Sequence, residues 1–172
     1  MLLSEKSSFA GRPLTLIWHQ TDSWPADAKI SQVSAFCVSD AGLILIIKNE
    51  HGWGLPGGHP EENETVSQAL EREVWEEAGV VIKSRQLVGY VEVDDPDNKN
   101  IEGKHYLQLR FLCPIAEIKD FTADFETSER NFVKPEQLPQ FISWLSASAV
   151  GRAQYQFFLT ALGEFDRITI FC

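Results

Sequence analysis

A chain of 172 residues, 44% hydrophobic with 11 Phe and 5 Trp, carries enough apolar volume for one sizeable core, which excludes a disordered segment. Its net charge of −10 excludes binding a nucleic acid polymer by neutralising its backbone, which needs Lys and Arg in excess. No apolar run approaches membrane-spanning length, the N-terminus lacks a leader pattern, and the 3 Cys are widely spaced, so the expectation is a cytoplasmic protein with reduced thiols and no membrane segment.

Residues 1–27 read as an extension or edge strand. Within them PLTLIWH, residues 13–19, is apolar and β-branched and predicts an edge strand with Trp18 in the core; residues 20–27, rich in Ser, Asp and Pro, predict a connector. Residues 29–38 alternate enough for a strand, Asp40-Ala41-Gly42 predicts a turn, and the aliphatic run 43–47 predicts a strand covered on both faces. The two strands together predict a hairpin. Trp53-Gly54-Leu55-Pro56-Gly57-Gly58 then forms a turn whose glycines permit positive φ and leave a carbonyl uncovered.

Thr65 followed by Gln68 is a capping-box pair, and Gly79 is free to take a left-handed C-terminal conformation, so a helix is predicted over 66–78. At about 100° per residue, Val66, Ala69 and Leu70 share one stripe, and Glu73, Glu76 and Glu77 continue it. The inward face therefore changes from apolar to carboxylate. At about 5 Å and an effective dielectric near 20, each like-charged pair costs roughly 3 kcal/mol, against under about 1 kcal/mol in water. Such a cluster needs a cation, and oxygen ligands suit Mg2+ or Mn2+. Arg72, on the flank of the carboxylates, has a guanidinium fork able to orient one of them. Glu64, half a turn out of phase with Glu73, reads as a tie for the preceding loop, with a metal contact left open.

Beyond the helix, residues 81–83 and 87–94 predict strands, with Leu87, Gly89, Val91 and Val93 on one face and Tyr90 and Glu92 on the other. A polar loop over 94–104 leads to a strand over 106–115, and the pair predicts a second hairpin with a long tip. Residues 121–129 read as irregular, 130–133 as a short strand, 135–145 as a helix interrupted at Pro139, and 152–162 as a helix with Ala153, Phe157, Phe158, Ala161 and Leu162 on one face. Residues 168–171 predict an edge strand. Strands enclosing a capped helix, followed by strands and a C-terminal helix, predict an α/β/α sandwich around a mixed β-sheet in a single domain spanning 1–172.

From Gly58 the sequence runs Gly, five residues, Glu64, seven residues, Arg72-Glu73-Val74, one residue, Glu76-Glu77, one residue, Gly79-Val80. At each fixed position it resembles the Nudix box, and the order of elements over about residues 30–163 is consistent with the Nudix fold. The resemblance implies hydrolysis of a pyrophosphate bond in a nucleoside diphosphate joined to another group, with nucleoside triphosphates, nucleotide sugars and ADP-ribose all open. It implies a Mg2+ cofactor, with Mn2+ as a substitute, held by the Gly57 carbonyl, Glu73, Glu76 and Glu77. It also implies that Arg72 holds a catalytic Glu, and that the general base is either Glu73 or a later-loop acid, for which Glu129 stands in the expected position. Candidates for contacting the substrate are Trp53, Tyr106, Phe111 and Arg110. The partner is then a small-molecule nucleotide or diphosphate, with a homodimer open. The alternative is a non-catalytic nucleotide-binding module, although such modules usually lose a box carboxylate and none is lost here.

Overall fold

The computed structural model describes residues 2–9, 11–101, 103–123 and 126–170. In chain order it contains β1 (Leu2–Phe9), β2 (Arg12–His19), β3 (Ile30–Val38), β4 (Ile44–Asn49), β5 (Gly52–Gly54), β6 (Gly57–Gly58), α1 (Val66–Ala78), β7 (Val80–Ile82), β8 (Gln86–Asp94), β9 (His105–Ile118) and β10 (Glu129–Val133). A 3-10 turn (Pro135–Gln137), two short helices, α2 (Leu138–Phe141) and α3 (Trp144–Ala147), and the long α4 (Ala149–Ile170) complete the described chain. The strands form a sheet in the order β1-β2-β8-β9-β3-β4-β10, with the short β5, β6 and β7 attached to β4, β3 and β9. Among the described residues only β3 and β9 run parallel, so the sheet is mixed.

Period-two alternation sends β3 and β9 side chains to two separate cores. Val33, Ala35, Cys37, Leu107, Leu109 and Phe111 pack under α1 against Ala69, Leu70, Val74 and Ala78. On the opposite face Phe36, Ile44, Ile46 and Leu112 pack under α4 against Val150, Phe158 and Leu162, with the Phe36 and Phe158 rings stacked at 4.2 Å. Helices on both faces of a mixed sheet make the α/β/α sandwich that the sequence predicts.

Several elements differ from the sequence reading. β2 is not an edge strand: β1 pairs with it from Leu2↔His19 to Phe9↔Arg12 and takes the edge itself. The sequence of β1, LLSEKSSF, has no apolar period to announce it. Glu5 of β1 also accepts the N–H of Ala149 at 2.7 Å, which ties this strand to the first residue of α4. The predicted hairpin of β3 and β4 meets only at Val38↔Ile44, because β3 spends its length beside β9. In β8 the register shifts between Leu87 and Gly89, so Val88, rather than Leu87, joins Val91 and Val93 on the α4 face. Gly89, at φ +154°, lies where a Cβ would strike the Trp18 ring.

Pro139 does not interrupt a helix but occupies the first turn of α2, where its missing N–H has no partner to lose. The break falls at Ile142, whose backbone leaves the helical region. Finally, the helix expected over 152–162 runs to Ile170 and replaces the predicted edge strand at 168–170; Phe171 lies outside the described residues. After Gly163 no proline or further glycine stops propagation, so the β-branched Ile-Thr-Ile continues the helix.

Candidate active site

The cap residues of α1 set the site. Thr65 accepts the Gln68 N–H at 3.3 Å while the Gln68 side chain accepts the Thr65 N–H at 2.9 Å. At the other end Gly79 adopts φ 62°, and its N–H reaches Trp75 O at 2.8 Å. Arg130, from β10, donates to the carbonyl of Ala78 at the helix end, at 2.6 Å. The two glycines of β6 let the backbone pass against the helix. A Cβ on Gly57 would collide with Val33 O, and one on Gly58 would collide with the Glu73 carboxylate.

Arg72 is the hub of the polar cluster. Its Nε and Nη2 grip both oxygens of Glu64 at 2.9 Å each. Nη1 spans Glu73 at 2.9 Å and Glu76 at 3.1 Å, and Nη2 also reaches His59 O at 3.1 Å. The fork therefore ties the loop before the helix, through Glu64, to two carboxylates on the helix. Glu64 also accepts the Glu61 N–H at 2.9 Å, and the Arg72 hydrogen bonds hold its carboxyl below the ordinary range.

Glu77 is the carboxylate short of positive charge. It accepts the Gly57 N–H at 2.7 Å, yet burial pushes its carboxyl up to about 7, and the charges of Glu73, Glu126 and Glu76 push the same way. Burial also raises Glu73, against the pull of Arg72. These acids crowd the C-terminal half of α1, where the helix dipole is itself negative and the last turn has no basic residue.

Gly57, Gly58, Arg72, Glu73, Glu76 and Glu77 line one cleft of about 630 Å³, together with Gln32, His59, Glu61 and Glu126. The donor set is all oxygen and short of counter-charge, which fits a hard divalent cation. With Arg72 drawing Glu73 and Glu76 to one side and Gly57 holding Glu77, no three acids, His or Cys among the described residues stand in a metal-coordinating arrangement. Occupancy by a metal would therefore require these side chains to turn inward.

The other predicted residues are dispersed. Glu129 does not line the cleft; it pairs across the sheet with Lys48 at 2.6 Å and is half-exposed. Glu126, three residues earlier on the loop before β10, does line it. Trp53 packs edge-on against Phe141 at 5.8 Å and beneath the Lys48 ammonium. Phe111 is 3% exposed in the α1 core, edge-on to Trp24, so neither of its faces is free to stack on a base. Arg110 is buried on the other face, where it donates to Gln154 of α4. Tyr106 lines a second cavity, of about 430 Å³, walled by β1 and β2 and sharing His59 with the carboxylate cleft. Sequence reasoning missed Glu126, Gln32 and His59, whose convergence depends on strand pairing rather than on any local pattern.

The NUDIX domain family matches residues 29–152. An ADP-ribose pyrophosphatase of Methanocaldococcus jannaschii is 31% identical over 104 residues, covering 56% of this chain and 57% of that protein. A low-salt glycan biosynthesis protein, Agl8, of Haloferax volcanii is 33% identical over 118 residues, covering 63% of this chain and 74% of that protein. Among solved structures, a point mutant of the pyrophosphohydrolase BsRppH of Bacillus subtilis superposes with a TM-score of 0.69 over 86% of this chain and 92% of its own, at 21% identity. At that identity the likeness is one of fold.

Proposed function

Since the chain belongs to the NUDIX domain family, matched over residues 29–152, we propose that it hydrolyses the pyrophosphate bond of a nucleoside diphosphate joined to another group. The observation that carries this reading is the cleft itself, where Glu73, Glu76, Glu77 and Glu126 face one space and Glu77 is held near neutrality by burial and like charge. The names of relatives add support, one being an ADP-ribose pyrophosphatase.

The Gly57 carbonyl, Glu73, Glu76 and Glu77 would hold Mg2+, or Mn2+ in its place. Bound there, the ion supplies charge to the phosphate oxygens and acidifies a water. Arg72 bridges Glu73 and Glu76, which turn from it toward the cleft when the ion is held, and is itself anchored by Glu64. Glu126, exposed at the cleft and with no cationic partner among the described residues, serves as the general base, and Glu73 is the second candidate. The base takes a proton from water as its oxygen bonds to one phosphorus. The bond from that phosphorus to the bridging oxygen breaks, and the departing phosphate leaves with the electron pair. The reaction is that of a cytoplasmic enzyme on a small nucleotide.

The test is product release from ADP-ribose, nucleoside triphosphates and nucleotide sugars, each with Mg2+, Mn2+ or chelator. Turnover that needs the metal and disappears in Glu77→Gln is expected; no metal-dependent turnover on any of them overturns the reading.

A further inference from the structure

Arg110 is 7% exposed and pairs with no carboxylate among the described residues. Its guanidinium donates to side-chain oxygens of three glutamines: Nε to Gln154 at 3.0 Å, Nη2 to Gln108 at 3.0 Å and Nη1 to Gln32 at 3.4 Å, with Leu109 O at 3.3 Å. Burial without a counter-ion pushes the group down to about 10. A desolvated cation costs several kcal/mol unless its donors are met, and here neutral amide oxygens meet them.

The arrangement has a consequence for the glutamines. A carboxamide fits its site equally well in two orientations related by a flip, and its hydrogen-bond partners decide between them. A guanidinium beneath it leaves no choice: oxygen faces the cation, and the NH2 faces away. Gln32 and Gln108 are register partners on the parallel strands β3 and β9. Neither amide nitrogen has a hydrogen-bond partner among the described residues. Gln32 lines the carboxylate cleft and Gln108 lines the adjoining cavity. A row of two amide donors thus leads from the cleft into that cavity.

The cavity has an apolar side made by Leu14, Leu16, Val93 and Tyr106. Arg12 lines it too, and its Nε is buried without an acceptor, a third donor awaiting an oxygen. At about 430 Å³ the space has the size of a small-molecule subsite. Its β1–β2 wall lies outside residues 29–152, the span that the family model matches.

We propose that Gln108 is a specificity-determining residue for a nucleobase that turns a ring carbonyl oxygen toward its amide, with Arg110 as the positioning residue that holds the amide in that orientation. The proposal rests on the pyrophosphohydrolase reading for its ligand, a nucleoside diphosphate whose phosphates lie in the carboxylate cleft. Guanine and uracil present such an oxygen. Adenine presents an amino group, a donor facing a donor.

The test is calorimetric titration of GMP, UMP, AMP and ribose 5-phosphate with Mg2+ present, which offsets the charge of the cleft carboxylates, while a monophosphate has no pyrophosphate bond to turn over. GMP and UMP are expected to bind at least about tenfold tighter than AMP and ribose 5-phosphate, the scale set by one matched against one unmatched polar contact. Gln108→Leu should erase the preference, and Gln108→Glu, which turns an acceptor toward the ring, should shift it toward AMP. Equal affinity for GMP and AMP, a preference that survives Gln108→Leu, or no binding of any monophosphate overturns the proposal. Arg110→Lys keeps the charge without the fork and should retain part of the GMP-to-AMP ratio that Arg110→Met loses. A ratio unchanged in both variants overturns the positioning role, and if Arg110→Met fails to fold, the Arg110→Lys ratio decides. A protein that discriminates bases yet hydrolyses nothing would retain this subsite and reject the hydrolase reading.

Discussion

Removing the metal should make stability depend on pH in a direction that Glu77 dictates. Its carboxyl stands at about 7 in the folded protein against an ordinary value of 4.5, so the folded state binds this proton more tightly than the unfolded chain does. The resulting stabilisation is complete below the unfolded value and is lost as pH rises through the folded one. Holding that proton at about 7 rather than 4.5 corresponds to roughly 3 kcal/mol, so metal-free protein should be less stable near pH 8 than near pH 5 by about that amount. Glu73, also raised, acts in the same sense. Glu64 and Glu92 are held low, Glu64 by Arg72 and Glu92 by hydrogen bonds from His105 and His19. Their stabilisation is present above the ordinary carboxylate value and is lost only as pH falls below it, outside this window. The assay is urea unfolding across that range in chelator for the wild type and for Glu77→Gln, which keeps an acceptor for the Gly57 N–H. The difference between the two profiles isolates Glu77. At pH 8, Mg2+ at about 100 times its Kd should restore roughly 2.7 kcal/mol. Parallel profiles for the two proteins, or melts indifferent to Mg2+, would refute the argument.

Glu126→Gln should lower turnover by about a hundredfold with Mn2+ affinity little changed, while Glu129→Gln, in its ion pair with Lys48, should be nearly silent; steady-state rates and metal titrations on both decide. Arg72→Lys keeps a charge but cannot grip both oxygens of Glu64 while also reaching Glu73 and Glu76, so turnover should drop by about tenfold or more without loss of the fold, and wild-type rates would contradict the hub role. Gly58→Ala drives a methyl into the Glu73 carboxylate; circular dichroism should report a folded protein and the rate assay an impaired one, and unimpaired turnover would show that Glu73 need not lie where it does.

What the sequence made legible was whatever depends on neighbours along the chain. Thr65 with Gln68, Gly79 and the stripe ending in Glu73, Glu76 and Glu77 gave α1 its limits and the cleft its acids, because caps and helical period are local. Alternation in β9 likewise told which side chains share a face. It could not tell that both faces are covered, which is why Arg110 and Phe111 looked available for a ligand and prove to be buried on opposite sides. The choice between Glu126 and Glu129 lay in a loop without period, where three residues decide whether a side chain meets the cleft or Lys48. β1 was invisible for a related reason: its pairing with β2 and its tie to α4 are written in the partners, not in its own serines and lysine.

The contact between Glu5 and Ala149 joins residues 144 positions apart, and this bears on the order in which the protein is made. β1 and β2 leave the ribosome ahead of the elements that cover them: β8, on the far side of β2, starts at Gln86, and the helix that β1 leans on starts at Ala149. Until then the nascent chain carries an early hairpin with unpaired strand edges, the kind of surface that recruits neighbouring chains. Translation that stops short of α4 should therefore yield aggregating fragments rather than a smaller working domain. A tag or fusion placed ahead of residue 2 will meet α4 as well as β1.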